Sequence, residues 1–292
     1  MTPGSIPVLM ASGKSLAEAW ENSLLTLYEH GCNVSTEYDR DEGARPSKDA
    51  TMTMVVEQPA SEPMIHRAFP GGLDDLEEYR QEVMEGIKDH WVRDPDDADD
   101  QRWEYTYHER IYRYMPPGTA ATPVDQIEAV VTRLAKVPFS RRAQAVTWKP
   151  WCDPDCYDPP CLQSFWFRVI EGEAGVWHLN MNVRFRSRDA YDAAFMNCFA
   201  FVCLMEDVAR RISDRAGREV HLGRYVDMSD SYHIYGRRLE AFEEGFLKQV
   251  RDREFEDRTW TREFAEPFFE EAKPAIAAKV KQVDARRAGG HD

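Results

Sequence analysis

One segment, residues 177–186, alternates between apolar and polar side chains over its whole length. Its odd-numbered residues are apolar and its even-numbered residues are polar, namely Trp177, Leu179, Met181, Val183 and Phe185 against His178, Asn180, Asn182, Arg184 and Arg186. Successive side chains of a β-strand point to opposite faces, so this period predicts a strand. We expect its apolar face to pack on the core and its polar face to suit a lined cavity.

Further helices and strands are predicted on both sides of this segment. A capping box formed by Ser15 and Glu18, followed by helical apolar spacing as far as Leu27, predicts a helix that Gly31 ends in a left-handed conformation. The other periodic segments are helices at 73–87, 124–136, 197–217 and from 239 onward, and strands at 51–56 and 165–169.

The chain lacks an internal repeat and a linker long enough to argue for two domains. Interleaved helices and strands therefore predict one domain, 1–292, of the α/β (α+β) class. We expect the polar residues 279–292 to form a loose tail. The acidic run 93–100 is expected to be a solvated loop, because it lacks the Gly and Glu that a calcium loop requires.

Composition and charge exclude several kinds of protein. Hydrophobic residues make up 42% of the 292 residues, which is typical of a globular chain. No apolar run approaches the roughly 20 residues that span a bilayer, and the first residues do not resemble a signal peptide. A net charge of −15 disfavours nucleic acid polymers and anionic membrane surfaces as partners. We expect a cytoplasmic protein whose six cysteines are reduced thiols.

The first candidate for chemistry is Cys161, which follows Pro159 and Pro160. A rigid Pro-Pro segment fixes the geometry of the thiol, and this suits a nucleophile. A buried structural thiol is the commoner role of a single cysteine. A zinc site is a further alternative because Cys152 and Cys156 are close in sequence, although these spacings match no common ligand pair.

Candidate ligand-binding residues accompany this thiol. Taken together with it, clustered arginines could grip a phosphate dianion and lower the pKa of the thiol, whereas each one alone would be a surface charge. Alternation places His233 and Tyr235 on one face, where they could hold a sugar hydroxyl or simply belong to a half-buried strand. The arginines are Arg45, Arg141, Arg142 and Arg186.

In their order and spacing these motifs resemble the thymidylate synthase family. The motifs are Ser140-Arg-Arg142, Pro159-Pro-Cys161, Arg186-Ser-Arg-Asp189, Asn197 and His233-Ile-Tyr235, preceded by the segment 105–110. The resemblance is good over about residues 100–240 and faint in the N-terminal third. A match of many parts is more specific than any single part. It implies a thymidylate synthase-like fold, with a mixed β-sheet flanked by helices.

The resemblance also implies a reaction. Cys161 would attack a pyrimidine nucleotide, and 5,10-methylene-tetrahydrofolate would be the co-substrate, with no metal. Tyr107 would serve removal of the proton from C5. Glu82 would be the essential glutamate of the family, with Glu85 as the second choice, because the alignment is poor there.

The remaining implied roles concern binding. Asp189 would contact the folate pterin, and Lys149 could touch the sugar or base edge, although a surface lysine is the simpler interpretation. The implied nucleotide ligands are Arg45, Arg186 and Ser187 at the phosphate, Arg141 and Arg142 at the same phosphate from the other subunit, Asn197 at the base, and His233 and Tyr235 at the sugar. The resemblance therefore implies an obligate homodimer with shared active sites.

Several positions depart from the usual family pattern. Leu162 stands where the family has His, Lys149 where it has Asn, and the C-terminal residues are polar instead of apolar. Because such a site would admit water, the departures resemble the cytidylate hydroxymethylase branch, in particular CMP hydroxymethylases of nucleoside-antibiotic biosynthesis. The amide of Asn197 can pair with uracil or, when flipped, with cytosine, so CMP, dCMP and dUMP stay open. A catalytically dead nucleotide-binding regulator and a zinc-stabilised interaction module are the alternatives from other classes.

Overall fold

The structure is a computed structural model that describes residues 4–36, 45–93, 102–117 and 122–288, with side chains as far as residue 282. Apart from Arg93, the predicted acidic loop 93–100 lies outside these residues. The strands are β1 (Val8–Gly13), β2 (Cys32–Val34), β3 (Ser47–Val56), β4 (Ile65–His66), β5 (Ala143–Val146), β6 (Leu162–Glu171), β7 (Trp177–Asp189), β8 (Val220–Ile234) and β9 (Thr259–Trp260). The α-helices are α1 (Leu16–His30), α2 (Leu73–Glu85), α3 (Tyr107–Tyr112), α4 (Gln126–Lys136), α5 (Ala194–Ala216), α6 (Leu239–Ala241), α7 (Lys248–Asp252) and α8 (Arg262–Ala288), with a π-helical segment, Phe242–Leu247, between α6 and α7.

The strands form one mixed sheet and a small two-stranded ribbon. The order in the large sheet is β1-β3-β8-β7-β6-β5, with β2 paired to β3, and the ribbon is β4-β9. The pairs β1/β3 and β7/β8 are parallel, whereas β3/β8, β6/β7 and β5/β6 are antiparallel. Helices α1 and α5 pack on this sheet, and α2 and α4 pack on α5. The predicted mixed sheet flanked by helices is therefore confirmed.

The alternating segment forms β7, as predicted, and its apolar face is buried. That face packs in the same core as the apolar side chains of α5, such as Phe199 and Phe201. On the other face Asn182 accepts a hydrogen bond from Arg224, and Arg184 pairs with Asp230. The polar residues in the middle of β7 thus contact neighbours on β8.

Two predictions about helix ends need correction. The Ser15 hydroxyl accepts from the Glu18 amide as predicted, but the Glu18 carboxylate reaches back to the amide of Lys14 and not to that of Ser15. Gly31 is extended, with φ −65°. The left-handed stop is wrong because β2 begins immediately, at Cys32, and the chain must enter a strand. A left-handed glycine does end α5, at Gly217, with φ +64°.

The expected loose tail is wrong over residues 279–288, which continue α8. This segment is rich in Ala, Lys and Arg, which favour helix. Ile276 buries its side chain in the last turns that precede the segment, and Lys279 pairs with Glu78 of α2 at 2.6 Å. Across the described residues, no helix combines the length and the apolar character needed to cross a bilayer.

Candidate active site

Cys161 lies directly before β6 and is held against β7. Its carbonyl accepts a hydrogen bond of 2.9 Å from the amide of Arg186. The guanidinium of Arg186 donates to the carbonyls of Pro160, at 3.0 Å, and of Pro159, at 2.5 Å. The predicted rigid setting of the thiol therefore comes from the two prolines together with one arginine.

The ionisation of Cys161 is governed first by its burial. Burial raises the pKa of the thiol, the charges of Arg186 and Arg188 lower it, and the carboxylate of Asp158 raises it further. Burial prevails, so the pKa lies above its usual value. The arginines lower the pKa of this thiol, as expected, but desolvation of the thiolate outweighs their attraction.

Tyr107 connects Cys161 to helix α3. Its hydroxyl accepts a 3.3 Å hydrogen bond from the amide of Leu162, the residue after the thiol. Burial, together with the negative charge that Cys161 can carry, raises the pKa of Tyr107 to about 12. Burial and the neighbouring Tyr107 also raise the pKa of Tyr105 well above its usual value. Both phenols therefore keep their protons at neutral pH.

A cavity of about 580 Å³ opens beside these phenols. Its wall mixes carboxylates and arginines with aromatic rings. The lining residues are Tyr79, Glu82, Arg93, Arg102, Trp103, Glu104, Tyr105, Thr106, Tyr107, Tyr157 and Asp158. Most come from α2 and from the segment before and within α3, and the last two come from the loop that leads to Cys161.

The two candidate glutamates occupy different environments. Glu82 lines the cavity, is 15% exposed, and accepts from Lys88 at 2.9 Å. Burial raises its pKa, so its carboxyl can hold a proton closer to neutral pH than an exposed glutamate can. Glu85 is 50% exposed and pairs with Arg80. Of the two, only Glu82 lies at the cavity.

Asn197 is buried in the first turns of α5 and meets α2. Its side-chain nitrogen donates to the hydroxyl of Tyr79 at 2.5 Å. Tyr79 lines the cavity, so this bond ties the predicted base-reading amide to the cavity wall. The structure thus brings Asn197 and Glu82 to the same place through α2.

Asp189 shapes the turn between β7 and α5. Its carboxylate accepts from the amides of Tyr191, at 3.0 Å, and Asp192, at 2.8 Å. Burial raises its pKa to about 6. The indole of Trp20 donates to the carbonyl of Ala190, at 2.9 Å, and so fixes this turn from helix α1. A carboxyl that titrates so near neutrality is a feature of functional sites.

His233 and Tyr235 come together at the end of β8. Their ring centroids lie 4.6 Å apart in an edge-to-face arrangement. His233 Nδ1 lies 3.2 Å from the hydroxyl of Ser231, while its buried Nε2 has no partner among the described residues. Burial lowers the pKa of His233 to about 4, so the imidazole is neutral. A ligand hydroxyl would satisfy the free nitrogen.

The other predicted phosphate ligands are spread over the chain. Arg45 is 51% exposed and forms two hydrogen bonds with Glu243, at 2.9 and 2.6 Å. Arg141 and Arg142 are exposed, and their side chains make no hydrogen bond with any described residue. Ser187 pairs with Ser231 across β7 and β8. In the single chain, Arg186 is therefore the predicted arginine that lies beside Cys161.

Lys149 is buried, and the interpretation of it as a surface lysine is wrong. Its ammonium pairs with Glu109 at 3.0 Å and lies 5.3 Å from the ring centroid of Tyr114. Buried charges need such partners. These partners are 35 to 40 positions away in sequence, which is why the sequence alone did not show them.

The cysteines near Cys161 have partners of their own. Cys156 contacts Glu104 at 3.4 Å, and Cys152 contacts Asp153 at 3.6 Å. Within residues 4–36, 45–93, 102–117 and 122–282, no group of three or more His, Cys, Asp or Glu side chains is arranged to hold a metal ion.

Comparison with known proteins identifies the family. The model of the family described as "Thymidylate synthase" matches residues 72–257, which include α2, Tyr107, Cys161, Asn197 and His233. The chain belongs to the thymidylate synthase family. It is 28% identical over 222 residues to a "Putative thymidylate synthase" of Methanosarcina acetivorans, which covers 76% of this chain and 87% of the relative. A protein of the same name from Methanocaldococcus jannaschii is 26% identical over 226 residues, or 76% and 88% of the two chains.

A solved structure supports the fold. Thermostable thymidylate synthase A from Bacillus subtilis superimposes with a TM-score of 0.56 over 80% of this chain and 84% of the other, at 18% identity. The predicted thymidylate synthase-like fold is therefore confirmed. Membership in the family makes this chain an enzyme of folate-dependent one-carbon transfer to a pyrimidine nucleotide. Members of this thymidylate synthase family use methylene-tetrahydrofolate and are typically dimeric.

Sequence reasoning missed four side chains around this thymidylate synthase-like site. Tyr79 lies three positions before Glu82, so helical spacing could have placed both on one face of α2. Asp158 stands three residues before Cys161 and lines the cavity. Arg188 and Asp227 form a buried pair behind the site; Arg188 lies within the Arg186–Asp189 motif, but no local pattern marks its pairing with Asp227.

Proposed function

We propose that this chain transfers a hydroxymethyl group to C5 of a cytidine nucleotide, CMP or dCMP, with Cys161 as the nucleophile. The proposal treats residues 1–292 as one thymidylate synthase-like domain. The observation that carries it is that Tyr107 and Glu82 line one cavity, and that the Tyr107 hydroxyl accepts from the amide of Leu162, the residue after Cys161. An attacking thiol, a proton-transfer path and a buried carboxyl are what the chemistry at C5 requires.

The first step needs the thiol in its ionised form. Addition of the thiolate to C6 moves an electron pair to C5, which becomes nucleophilic enough to form a bond to carbon. 5,10-Methylene-tetrahydrofolate supplies the one-carbon unit. Because burial raises the thiol pKa, Arg186 and Arg188 are needed to keep the thiolate accessible.

Proton transfer at the base falls to Tyr107 and Glu82. With a pKa of about 12, Tyr107 stays a neutral phenol at pH 7, and we assign it to orienting the water that removes the C5 proton. Glu82, whose pKa is raised by burial, is assigned to exchanging protons with the polar edge of the base. After the one-carbon unit separates from its carrier, water adds to the exocyclic methylene carbon. Expulsion of the Cys161 thiolate from C6 then restores the ring.

The charged side chains in the cavity wall favour capture of water over transfer of hydride. Glu82, Glu104 and Asp158 line it together with two arginines, and such a wall holds water instead of excluding it. Hydride transfer to the same methylene carbon would require the site to be dry. Leu162, in place of the usual family histidine, separates this chain further from ordinary thymidylate synthesis.

Ligand binding is assigned to residues that include Asp189 and His233, which pair at the ends of β7 and β8. Asn197 faces the base, His233 and Tyr235 face the sugar, and Asp189 faces the folate. Lys149 is assigned to the base or sugar edge only indirectly, since Glu109 holds its ammonium. Arg45, Arg186 and Ser187 are assigned to the phosphate, which requires Arg45 to exchange Glu243 for the ligand and Arg186 to exchange the proline carbonyls. Arg141 and Arg142 are assigned to the phosphate of the partner subunit in a homodimer.

Mass spectrometry of nucleotide products tests the proposal directly. The protein is incubated with methylene-tetrahydrofolate and with CMP, dCMP or dUMP in separate reactions. We expect a hydroxymethyl increment on CMP or dCMP, with tetrahydrofolate as the second product. A methyl increment on dUMP together with dihydrofolate would make the chain a thymidylate synthase. Tight nucleotide binding without any product would make it a regulator, and would contradict the proposal.

A further inference from the structure

Arg188 carries its guanidinium into the core between β7 and α5. Its side chain is 1% exposed. One terminal nitrogen pairs with Asp227, and the other donates to the carbonyl of Ala194 at 3.1 Å and lies 3.3 Å from the sulfur of Cys198. The guanidinium is thereby fixed on a strand of the sheet and on the first turn of α5.

Asp227 is itself fully engaged. Its carboxylate accepts from the hydroxyl of Tyr225 at 2.6 Å and from that of Ser229 at 3.4 Å, in addition to Arg188. A buried ion pair is weak grounds for stability, because desolvating two charges can cost more than their attraction returns. The pair therefore calls for a role other than stability.

The position of Arg188 relative to the site suggests that role. Its guanidinium carbon lies 3.8 Å from the ring centroid of Phe185. Phe185 is the β7 partner of Leu162, the residue that follows Cys161. The ring of Tyr107 stands edge-on to the same phenylalanine, at 6.5 Å. A fixed cation and the phenol that touches the thiol segment thus flank one aromatic ring.

We propose that Arg188 is a positioning residue, a permanent buried cation that favours the thiolate form of Cys161. Arg186 also faces the thiol, but it is partly exposed and is the arginine assigned to the ligand phosphate. Arg188 is buried and cannot pair with an anionic ligand, so ligand binding does not neutralise its charge during turnover. Its benefit for catalysis rests on the proposed nucleophilic role of Cys161, whereas its effect on the thiol does not.

The remaining charged and titratable groups around Cys161 come from three segments. Asp158, in the thiol's own loop, opposes ionisation, and Arg186 on β7 supports it. Tyr105 and Tyr107, before and within α3, are neutral and gain negative charge only at high pH. The support from Arg188 agrees in sign with that from Arg186. Neutralising Arg188 should therefore raise the pKa of the Cys161 thiol, and neutralising Asp227 should lower it.

The test measures the ionisation of Cys161 in four folded variants. The pH dependence of iodoacetamide alkylation is followed by the mass of the peptide that contains Cys161, so the other cysteines do not interfere. We expect Arg188→Gln to raise the midpoint by about one pH unit, which is about tenfold less thiolate below the midpoint. Asp227→Asn should lower it, and Arg188→Lys should leave it close to the wild type.

Loss of one partner of a buried pair can unfold a protein, so circular dichroism and thermal unfolding accompany each measurement. The paired variant Arg188→Met/Asp227→Leu removes both charges together and should raise the midpoint less than Arg188→Gln does. Equal midpoints in wild type and folded Arg188→Gln would overturn the inference, as would shifts of the same sign in Arg188→Gln and Asp227→Asn. Should Asp227→Asn fail to fold, the midpoints of the other proteins still decide. We expect the midpoint to rise from the wild type to the paired variant and again to Arg188→Gln. The titration needs no substrate, so it tests the effect of Arg188 on the thiol even if the proposed function is wrong.

Discussion

The side-chain nitrogen of Asn197 donates a hydrogen bond of 2.5 Å to the phenol oxygen of Tyr79. An asparagine amide has one accepting and one donating end, and this bond engages the donating end. The carbonyl oxygen, with the second N–H, is left to face a ligand. Under the proposed function these two groups face cytosine, whose amino group donates and whose N3 accepts.

The first prediction concerns the choice of base. Tyr79→Phe keeps the ring but removes the oxygen that orients Asn197, so the amide can turn its nitrogen toward the O4 of uracil. We expect the ratio of kcat/KM for CMP over UMP to fall about tenfold, since a factor of ten corresponds to about 1.4 kcal/mol, near the upper end for one hydrogen bond. The preference for CMP over UMP in equilibrium binding, measured as the ratio of the two dissociation constants, should fall in the same way.

Tyr112→Phe is the matched control. This tyrosine belongs to α3 and stacks on His108, and it is not a wall of the cavity. The control should leave the CMP to UMP ratio unchanged. A ratio equally unchanged in Tyr79→Phe would mean that Asn197 is oriented by the ligand itself and not by the phenol.

Much of the fold was predictable because the decisive signals are local. Alternation over 177–186 and the helix cap of the Ser15 hydroxyl depend on neighbouring residues alone, and both predictions are confirmed. Gly31 was misjudged because the conformation of a helix end depends on where the chain goes next. The segment 279–288 was misjudged because its helix is extended from a packed part of α8 at Ile276, which polarity alone does not reveal.

The site was less predictable because burial is set by tertiary contacts. The Pro-Pro-Cys161 motif and the Arg186–Asp189 motif stand out in the sequence. The burial of Lys149 depends on Glu109, which lies 40 positions away. The partnership of Arg188 with Asp227 depends on the pairing of β7 with β8, which the sequence does not specify. Net ionisation of Cys161 likewise follows from desolvation, which the sequence does not report.

The second prediction concerns the nucleophile. Cys161→Ala should lower kcat by more than about 1,000-fold, because no other group can add to C6, while nucleotide binding stays within a few-fold of the wild type. Product formation and equilibrium binding are the two measurements. Cys152→Ala, which removes an exposed thiol, is the control and should remain active. Turnover by Cys161→Ala would exclude the covalent mechanism.

The third prediction concerns shared active sites. Arg142 is exposed and its side chain has no hydrogen-bonding partner among the described residues, as expected of a side chain that serves the neighbouring subunit. Cys161→Ala and Arg142→Ala homodimers should each be nearly inactive. Mixing them should restore up to about a quarter of the wild-type activity, because half of the dimers are then hybrids and each hybrid holds one intact site of two. The recovery is measured after subunit exchange has been shown by mass-labelled protein.

Absence of recovery after proven exchange would place Arg142 in its own subunit's site. The control is a mixture of Cys161→Ala with Cys161→Ser. Both variants lack the same thiol, so no hybrid dimer holds an intact site and no activity should be recovered. This comparison separates shared sites from a general stabilising effect of mixing.

The fourth prediction follows from Asp189, whose pKa burial raises to about 6. Between about pH 4 and pH 6, the folded state therefore keeps a proton on Asp189 that the unfolded state, with an ordinary aspartate pKa, has already released. The ionised carboxylate destabilises the fold fully above pH 6 and not at all below about pH 4. Asp189→Asn should raise the free energy of unfolding by about 2 kcal/mol at pH 7, and the gain should shrink to zero as pH falls from 6 to 4. Urea unfolding across this range measures it, with the exposed Asp155→Asn as the control. A gain that is independent of pH would show that the benefit comes from packing and not from the buried charge.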